Sequence, residues 1–137
     1  MPKMKELTVT IADQPGALGT CFKALAERKI NILAFQSYVE EGESLARLVV
    51  DDLVSARAVL GTLGMIFEVT EVASVRLANR SGELARVTTA LGEAKINIDY
   101  SYCGIEPESA HPLAVFGVDN TTQAVTILDA LADESDH

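Results

Sequence analysis

The stretch Asp13-Gln14-Pro15-Gly16-Ala17-Leu18, followed further on by Asn31-Ile32, occurs twice in this chain. An offset of 66 positions leads to Asn79-Arg80-Ser81-Gly82-Glu83-Leu84 and then to Asn97-Ile98. The pairs Ala12/Ala78, Ala24/Ala90, Leu25/Leu91, Glu27/Glu93, Lys29/Lys95 and Ile30/Ile96 keep that offset, and no gap is needed between positions 11 and 32. Identities held in one register over such a span mark an internal repeat, which is settled before any fold is assigned. The expected division is residues 1–71 and 72–137.

In the first copy, Leu7, Val9 and Ile11 alternate with Glu6, Thr8 and Thr10. This is the period of a half-buried strand, with the polar set on the other face. Asp13 to Gly16 break the alternation. Pro15 suits a turn or a first helical position, and Gly16 lets the backbone turn tightly. From Ala17 the period becomes helical, with Leu18, Cys21, Phe22 and Leu25 on one face. A strand, a glycine turn and a helix start follow in sequence. Such a corner presents free N–H groups and the positive end of a helix dipole, and it can hold a small anion such as a carboxylate. Taken alone, the same corner serves equally as a plain chain reversal.

The rest of the first copy reads as strand Ile30 to Val39, a hairpin loop Glu40-Glu41-Gly42-Glu43, and strand Leu45 to Val50. Asp51-Asp52 offers an N-cap to a helix with the stripe Leu53, Ala56, Leu60 and Leu63, which Gly64 ends. Met65 to Ala78 runs without Gly or Pro, so the last strand of the first copy enters the first strand of the second. In the second copy Ala73, Val75 and Leu77 replace Leu7, Val9 and Ile11, and Leu84, Val87 and Leu91 replace Leu18, Cys21 and Leu25. Strands are expected over Ile96 to Tyr102 and Leu113 to Val118, with the loop Gly104 to Pro112 between them. Beyond it the offset becomes 68, as in Ala56/Ala124 and Leu63/Leu131. The acidic tail from Ala132 to His137 is expected to fray. The second copy is thus expected to lack its last strand.

The chain has 137 residues, of which 48% are hydrophobic, and no Trp, so its cores are aliphatic. No apolar run reaches membrane-spanning length, and residues 1–12 do not read as a signal peptide. A net charge of −9 with scattered basic residues argues against a nucleic-acid partner. Cys21 and Cys103 form no framework and fit a reducing, cytoplasmic setting. His111 and His137 stand beside no nucleophile motif, and no phosphate loop, dinucleotide fingerprint or paired metal motif is present. No catalytic residue, cofactor or metal is therefore expected. Cys103, Glu106, Glu108 and His111 are spaced irregularly and read as a solvated hairpin rather than a metal site. Tyr38, Tyr100 and Tyr102 read as strand surface, with a ligand pocket as the alternative. Arg80 reads as solvent-facing, with carboxylate docking as the alternative.

The order of elements, the unit length and the pattern of Asp13, Pro15, Gly16, Leu18, Asn31 and Ile32 resemble the ACT domain, a ferredoxin-like βαββαβ module that senses amino acids. The resemblance covers nearly the whole chain as two tandem units, with antiparallel sheets and helices on one face. The first copy matches closely. The second departs, with Asn79 for Asp13 and Ser81 for Pro15, while Gly82, Leu84, Asn97 and Ile98 are kept. The resemblance implies an α+β fold and a ligand between the first loop of one unit and the second strand of its neighbour. It makes Asp13, Pro15, Gly16, Ala17, Leu18, Asn31 and Ile32 candidate ligand-binding residues, with Asn79, Gly82, Glu83, Leu84, Asn97 and Ile98 their counterparts. The ligand carboxylate would meet N–H groups at Gly16, Ala17 and Leu18, and Asp13 or strand carbonyls would hold the ammonium. The function implied is a non-catalytic amino-acid-binding regulatory protein, a homodimer that acts through a partner enzyme or regulator. The alternative is an interaction subunit with vestigial ligand sites, similar to small subunits of acetohydroxyacid synthase or to two-ACT transcriptional regulators. An acylphosphatase-type enzyme on the same fold would need an arginine in the first loop, where this chain carries Asp13.

Overall fold

The alternation around Leu7 becomes strand β1 (Lys3–Ile11), in which Leu7, Val9 and Ile11 are buried. The computed structural model describes residues 3–106, 108–109 and 111–135. After β1 come α1 (Ala17–Glu27), β2 (Ile32–Glu40), β3 (Glu43–Val50), α2 (Leu53–Thr62) and β4 (Phe67–Arg76). Then follow α3 (Glu83–Glu93), β5 (Ile98–Ile105), β6 (Pro112–Val118) and α4 (Thr121–Ser135). The chain divides into two compact units, one of Lys5–Thr70 and one of Glu71–His137 with Met1–Met4. The single strand β4 runs from one into the other, because nothing between Phe67 and Arg76 breaks an extended chain.

In the first unit β3 lies between β1 and β2, antiparallel to both, with Leu7 opposite Leu48 and Phe35 opposite Leu48. The β2–β3 connection is a two-residue turn in which Glu41 and Gly42 both have positive φ, at 51° and 80°. That is the turn form whose twist matches antiparallel strands. Leu7, Val9, Ile11, Ala46 and Leu48 meet Cys21 and Leu25 of α1 and Ala56, Val59 and Leu60 of α2 in one buried cluster. Burying each such leucine contributes about 1.5–3 kcal/mol, so this cluster, not helix propensity, holds the short helices in place.

The second unit repeats the plan, with β6 antiparallel to both β4 and β5. Its cluster takes Ala73, Val75, Leu77, Ala114 and Phe116 from strands and Val87, Leu91, Ala124 and Leu128 from helices. Even the irregularities recur: the ladder slips between Ile32 and Ala34 in one unit and between Ile98 and Tyr100 in the other. Tyr100 lies across Gly117, where a Cβ would come within 2.1 Å of its ring, so only glycine fits opposite that tyrosine.

Three expectations change. Leu84, expected on the buried helix face, is 50% exposed, and its neighbour Glu83 is buried instead, because two arginines pair with it. Glu6, expected on a polar outer face, is fully buried and lies 3.0 Å from Arg47. The tail expected to fray is helical through Ser135, since no Gly or Pro follows Leu131 to stop α4; Asp136 and His137 lie outside the described residues.

Candidate functional site

Gly16 and Gly82 stand immediately before α1 and α3 with nearly identical backbones, φ 86° and ψ −11° against φ 90° and ψ −10°. This left-handed conformation strains any residue with a Cβ. Among the described residues nothing lies within 4 Å of where that Cβ would be, so the need for glycine comes from the backbone and not from crowding. The preceding turns also coincide, since the Gln14 N–H donates to the Ala12 carbonyl and the Arg80 N–H to the Ala78 carbonyl, each at 2.9 Å. A glycine cap has no side-chain oxygen for the first N–H groups of its helix, and neither helix has a side-chain cap bond.

The electrostatics of the two corners differ. The first turn of α1 contains no acidic residue, whereas that of α3 contains Glu83. Glu83 accepts from Arg86 Nε at 2.9 Å and lies 3.4 Å from Arg80 Nη2. Its carboxylate thus already answers the helix dipole that a ligand anion would use. Arg80 remains 64% exposed.

Each corner borders a cavity. In the first unit about 220 Å³ is lined by Ala12, Gln14, Ala17, Thr20, Cys21, Leu63 and Met65. In the second unit about 340 Å³ lies against the turn from Leu77 to Ala85 and reaches Cys103 and Pro112. Burial pushes the Cys21 thiol above its ordinary pKa, so it stays a neutral apolar wall.

The candidate residues therefore separate. Asn79, Gly82, Glu83 and Leu84 share the second cavity, and Ala17 lines the first. Asp13, Pro15 and Gly16 are exposed in the turn, and Leu18 is half-buried against the core. Asn31 and Ile32 are at the far end of their own unit, as are Asn97 and Ile98. The ladder sets Ile11 opposite Ser44 but Ile32 opposite Val50, and likewise Ile98 opposite Val118. Asn31 and Asn97 there donate backbone N–H groups to Asp51 and Asp119.

Some residues carry contacts that strand alternation alone does not predict. Arg47 donates to Tyr38 Oη at 2.8 Å and to Glu6 Oε1 at 3.0 Å, and the Thr70 hydroxyl sits 3.4 Å from the same carboxylate oxygen. Tyr100 and Tyr102 stack at 6.4 Å, and neither lines the two cavities above. Glu106 faces Arg76 at 3.7 Å, and no group of three or more His, Cys, Asp or Glu side chains converges among the described residues. Thr20, Leu63 and Met65 were missed as cavity residues. The signal available was Thr20 standing opposite Arg86 in the repeat, a mismatch between the two copies.

The fold has solved relatives. A protein from Bacteroides thetaiotaomicron superposes with a TM-score of 0.81 at 22% identity, covering 94% of this chain and 88% of that one. The ligand-free regulatory subunit of aspartate kinase from Thermus thermophilus gives 0.60 at 21% identity, covering 93% and 91%. The corresponding subunit from Thermus flavus gives 0.60 at 19% identity, covering 100% and 94%. No curated protein matches. No helix among the described residues is long and apolar enough to cross a membrane. A family model described as an ACT domain pair matches residues 2–134. With the doubled turn geometry and the doubled order of elements, that match over nearly its whole length makes this chain a member of the ACT domain pair family.

Proposed function

We propose that the chain is a non-catalytic regulatory protein that binds an amino acid at its glycine turns and passes that signal to a partner enzyme or regulator. The observation that carries this reading is the left-handed glycine before α1, which leaves the helix start without a side-chain cap beside an open cavity. A carboxylate there meets N–H groups and the dipole without displacing a protein anion. Asp13, exposed in the same turn, is the nearby acid for the ammonium group. The finer layout proposed is two ferredoxin-like βαββαβ units, 1–71 and 72–137, the second without its own last strand, assembled as a cytoplasmic homodimer. A monodisperse species of 14.6 kDa in light scattering would remove the dimer. The Thermus likenesses, both regulatory subunits of aspartate kinase, support a partner enzyme of amino-acid metabolism.

The second reading is an interaction subunit whose ligand sites are vestigial. The ion pairs around Glu83, which occupy the second corner, favour it. A thermal-shift screen against the twenty amino acids separates the two. Ligand at 100 times Kd adds about 2.7 kcal/mol, a shift of several degrees. No shift with any amino acid would leave the interaction subunit as the better reading.

A further inference from the structure

Ala12, Ala17, Cys21, Leu63 and Met65 give the first-unit cavity apolar walls, Gln14 and Thr20 add the polar rim, and among the described residues no charged side chain lines it. It lies between the start of α1 and the end of α2. The repeat places Ala78, Arg80, Glu83, Arg86, Val87 and Leu131 at the matching positions of the second unit. There the space is crossed by side chains. Arg86 holds Glu83 at 2.9 Å with its Nε, and its Nη2 donates to the Leu131 carbonyl at 3.3 Å. Leu131 is the counterpart of Leu63, so the guanidinium bridges from the first helix of the unit to the second. In the first unit Ala17 and Thr20 are too short to cross. The Thr20 hydroxyl turns back to the Gly16 carbonyl at 3.1 Å. The second unit's own cavity opens elsewhere, toward Cys103 and Pro112.

We infer that the first-unit cavity is the side-chain pocket of the ligand, selecting an amino acid with an uncharged aliphatic or thioether side chain, and that the Glu83–Arg86 pair closes the equivalent pocket in the second unit. This rests on the reading that the glycine turn holds the amino-acid head. The size fits: an apolar cavity of about 150 Å³ accommodates benzene, and about 220 Å³ admits a branched four-carbon side chain. The lining fits as well, because an apolar side chain covers the surfaces of Ala17, Cys21, Leu63 and Met65, whereas an ionised one gains nothing from them. One chain therefore binds one such ligand, and the pair of positions 17 and 20 against 83 and 86 sets which unit takes it.

The test is an amide-resolved NMR titration with L-leucine, with L-glutamate, and with 3-methylbutan-1-ol, which carries the leucine side chain without the amino-acid head. Leucine and the alcohol are expected to move the signals of Thr20, Cys21 and Leu63 and to leave those of Glu83, Arg86 and Leu131 in place. Glutamate is expected to bind roughly tenfold more weakly than leucine, the loss of a partly covered apolar side chain. Ala17→Glu with Thr20→Arg should abolish both responses, and Glu83→Ala with Arg86→Thr should create a second set at Val87 and Leu131. Leu63→Trp fills the cavity from a 45% exposed position and serves if the double variant does not fold. If the alcohol moves nothing around the first cavity, or binds unchanged in Leu63→Trp, the pocket assignment is overturned. If the alcohol binds there and no amino acid does, the pocket stands and the amino-acid reading falls.

Discussion

Asn31 and Asp51 hold each other through the backbone: the Asn31 N–H donates to Asp51 Oδ1 at 2.9 Å, and the Asp51 N–H donates to the Asn31 carbonyl at 3.1 Å. Asn97 and Asp119 repeat the exchange at 3.2 and 3.4 Å. The pair ties the entry of β2 to the exit of β3, and it uses only the main chain of the asparagine but both the main chain and the side chain of the aspartate. Asp51→Ala is therefore expected to cost roughly 1 kcal/mol, one net hydrogen bond. Asn31→Ala should stay within about 0.5 kcal/mol, as for a surface change. Urea midpoints of the two variants check this. Equal losses would show that the asparagine side chain, not its backbone, carries the contact.

Gly16 is held at φ 86° with open space where a Cβ would sit. Gly16→Ala should destabilise by roughly 1–2 kcal/mol from backbone strain. Gly16→Val should cost more, since a β-branched residue is a poorer fit to that region. Both should stay folded and lose the bound amino acid in calorimetry, because the N–H groups shift with the turn. Gly82→Ala should cost the same stability and leave that binding intact. Loss of binding in Gly82→Ala but not in Gly16→Ala would reverse the ranking of the two corners.

Glu6 is fully buried against Arg47, which is itself 19% exposed. Removing one partner of such a pair leaves a buried charge, and Arg47→Met is expected to cost about 3–5 kcal/mol. Glu6→Gln together with Arg47→Met should recover much of that loss, since no charge then remains uncompensated. Additive losses in the double variant, measured by chemical denaturation, would mean the two residues act independently.

What the sequence disclosed was local. Strand alternation, the glycine turns and the stop at Gly64 are each written within a few residues, and the doubled offset made them mutually supporting. The ends of α1 and α3 were harder to read. Lys29 and Lys95 take left-handed φ values of 59° and 64°, and the following Ile30 and Ile96 N–H groups reach back to Leu25 and Leu91. This is the usual helix-closing pattern, but it commonly shows itself by glycine, and lysine gives no such sign. Glu6 misled for a different reason: the alternation marks which face it is on, while burial on that face depends on Arg47, 41 residues away. At the candidate site, the glycine turns were legible because they repeat. The contrast of Ala17 and Thr20 with Glu83 and Arg86 was not, because a repeat is recognised by its identities and these positions differ.

Asp52 caps α2, with the Ser55 N–H donating to its Oδ1 at 3.0 Å. The backbone N–H of Ser55, and then the Ser55 side chain, favour the charged carboxylate and hold its pKa below the ordinary aspartate value. In the unfolded chain an aspartate titrates at about 3.9. A group whose pKa is depressed on folding adds stability that is fully present above the unfolded value. That stability fades as pH falls through the folded value and is absent below it. Asp52→Asn keeps a competent cap but has no charge to titrate. Wild type should therefore exceed Asp52→Asn by a constant margin from about pH 7 to pH 5, and the margin should close below about pH 4. Urea denaturation of both proteins across this range measures it. Parallel curves down to pH 2 would show that the charge on Asp52 does nothing that an amide oxygen does not.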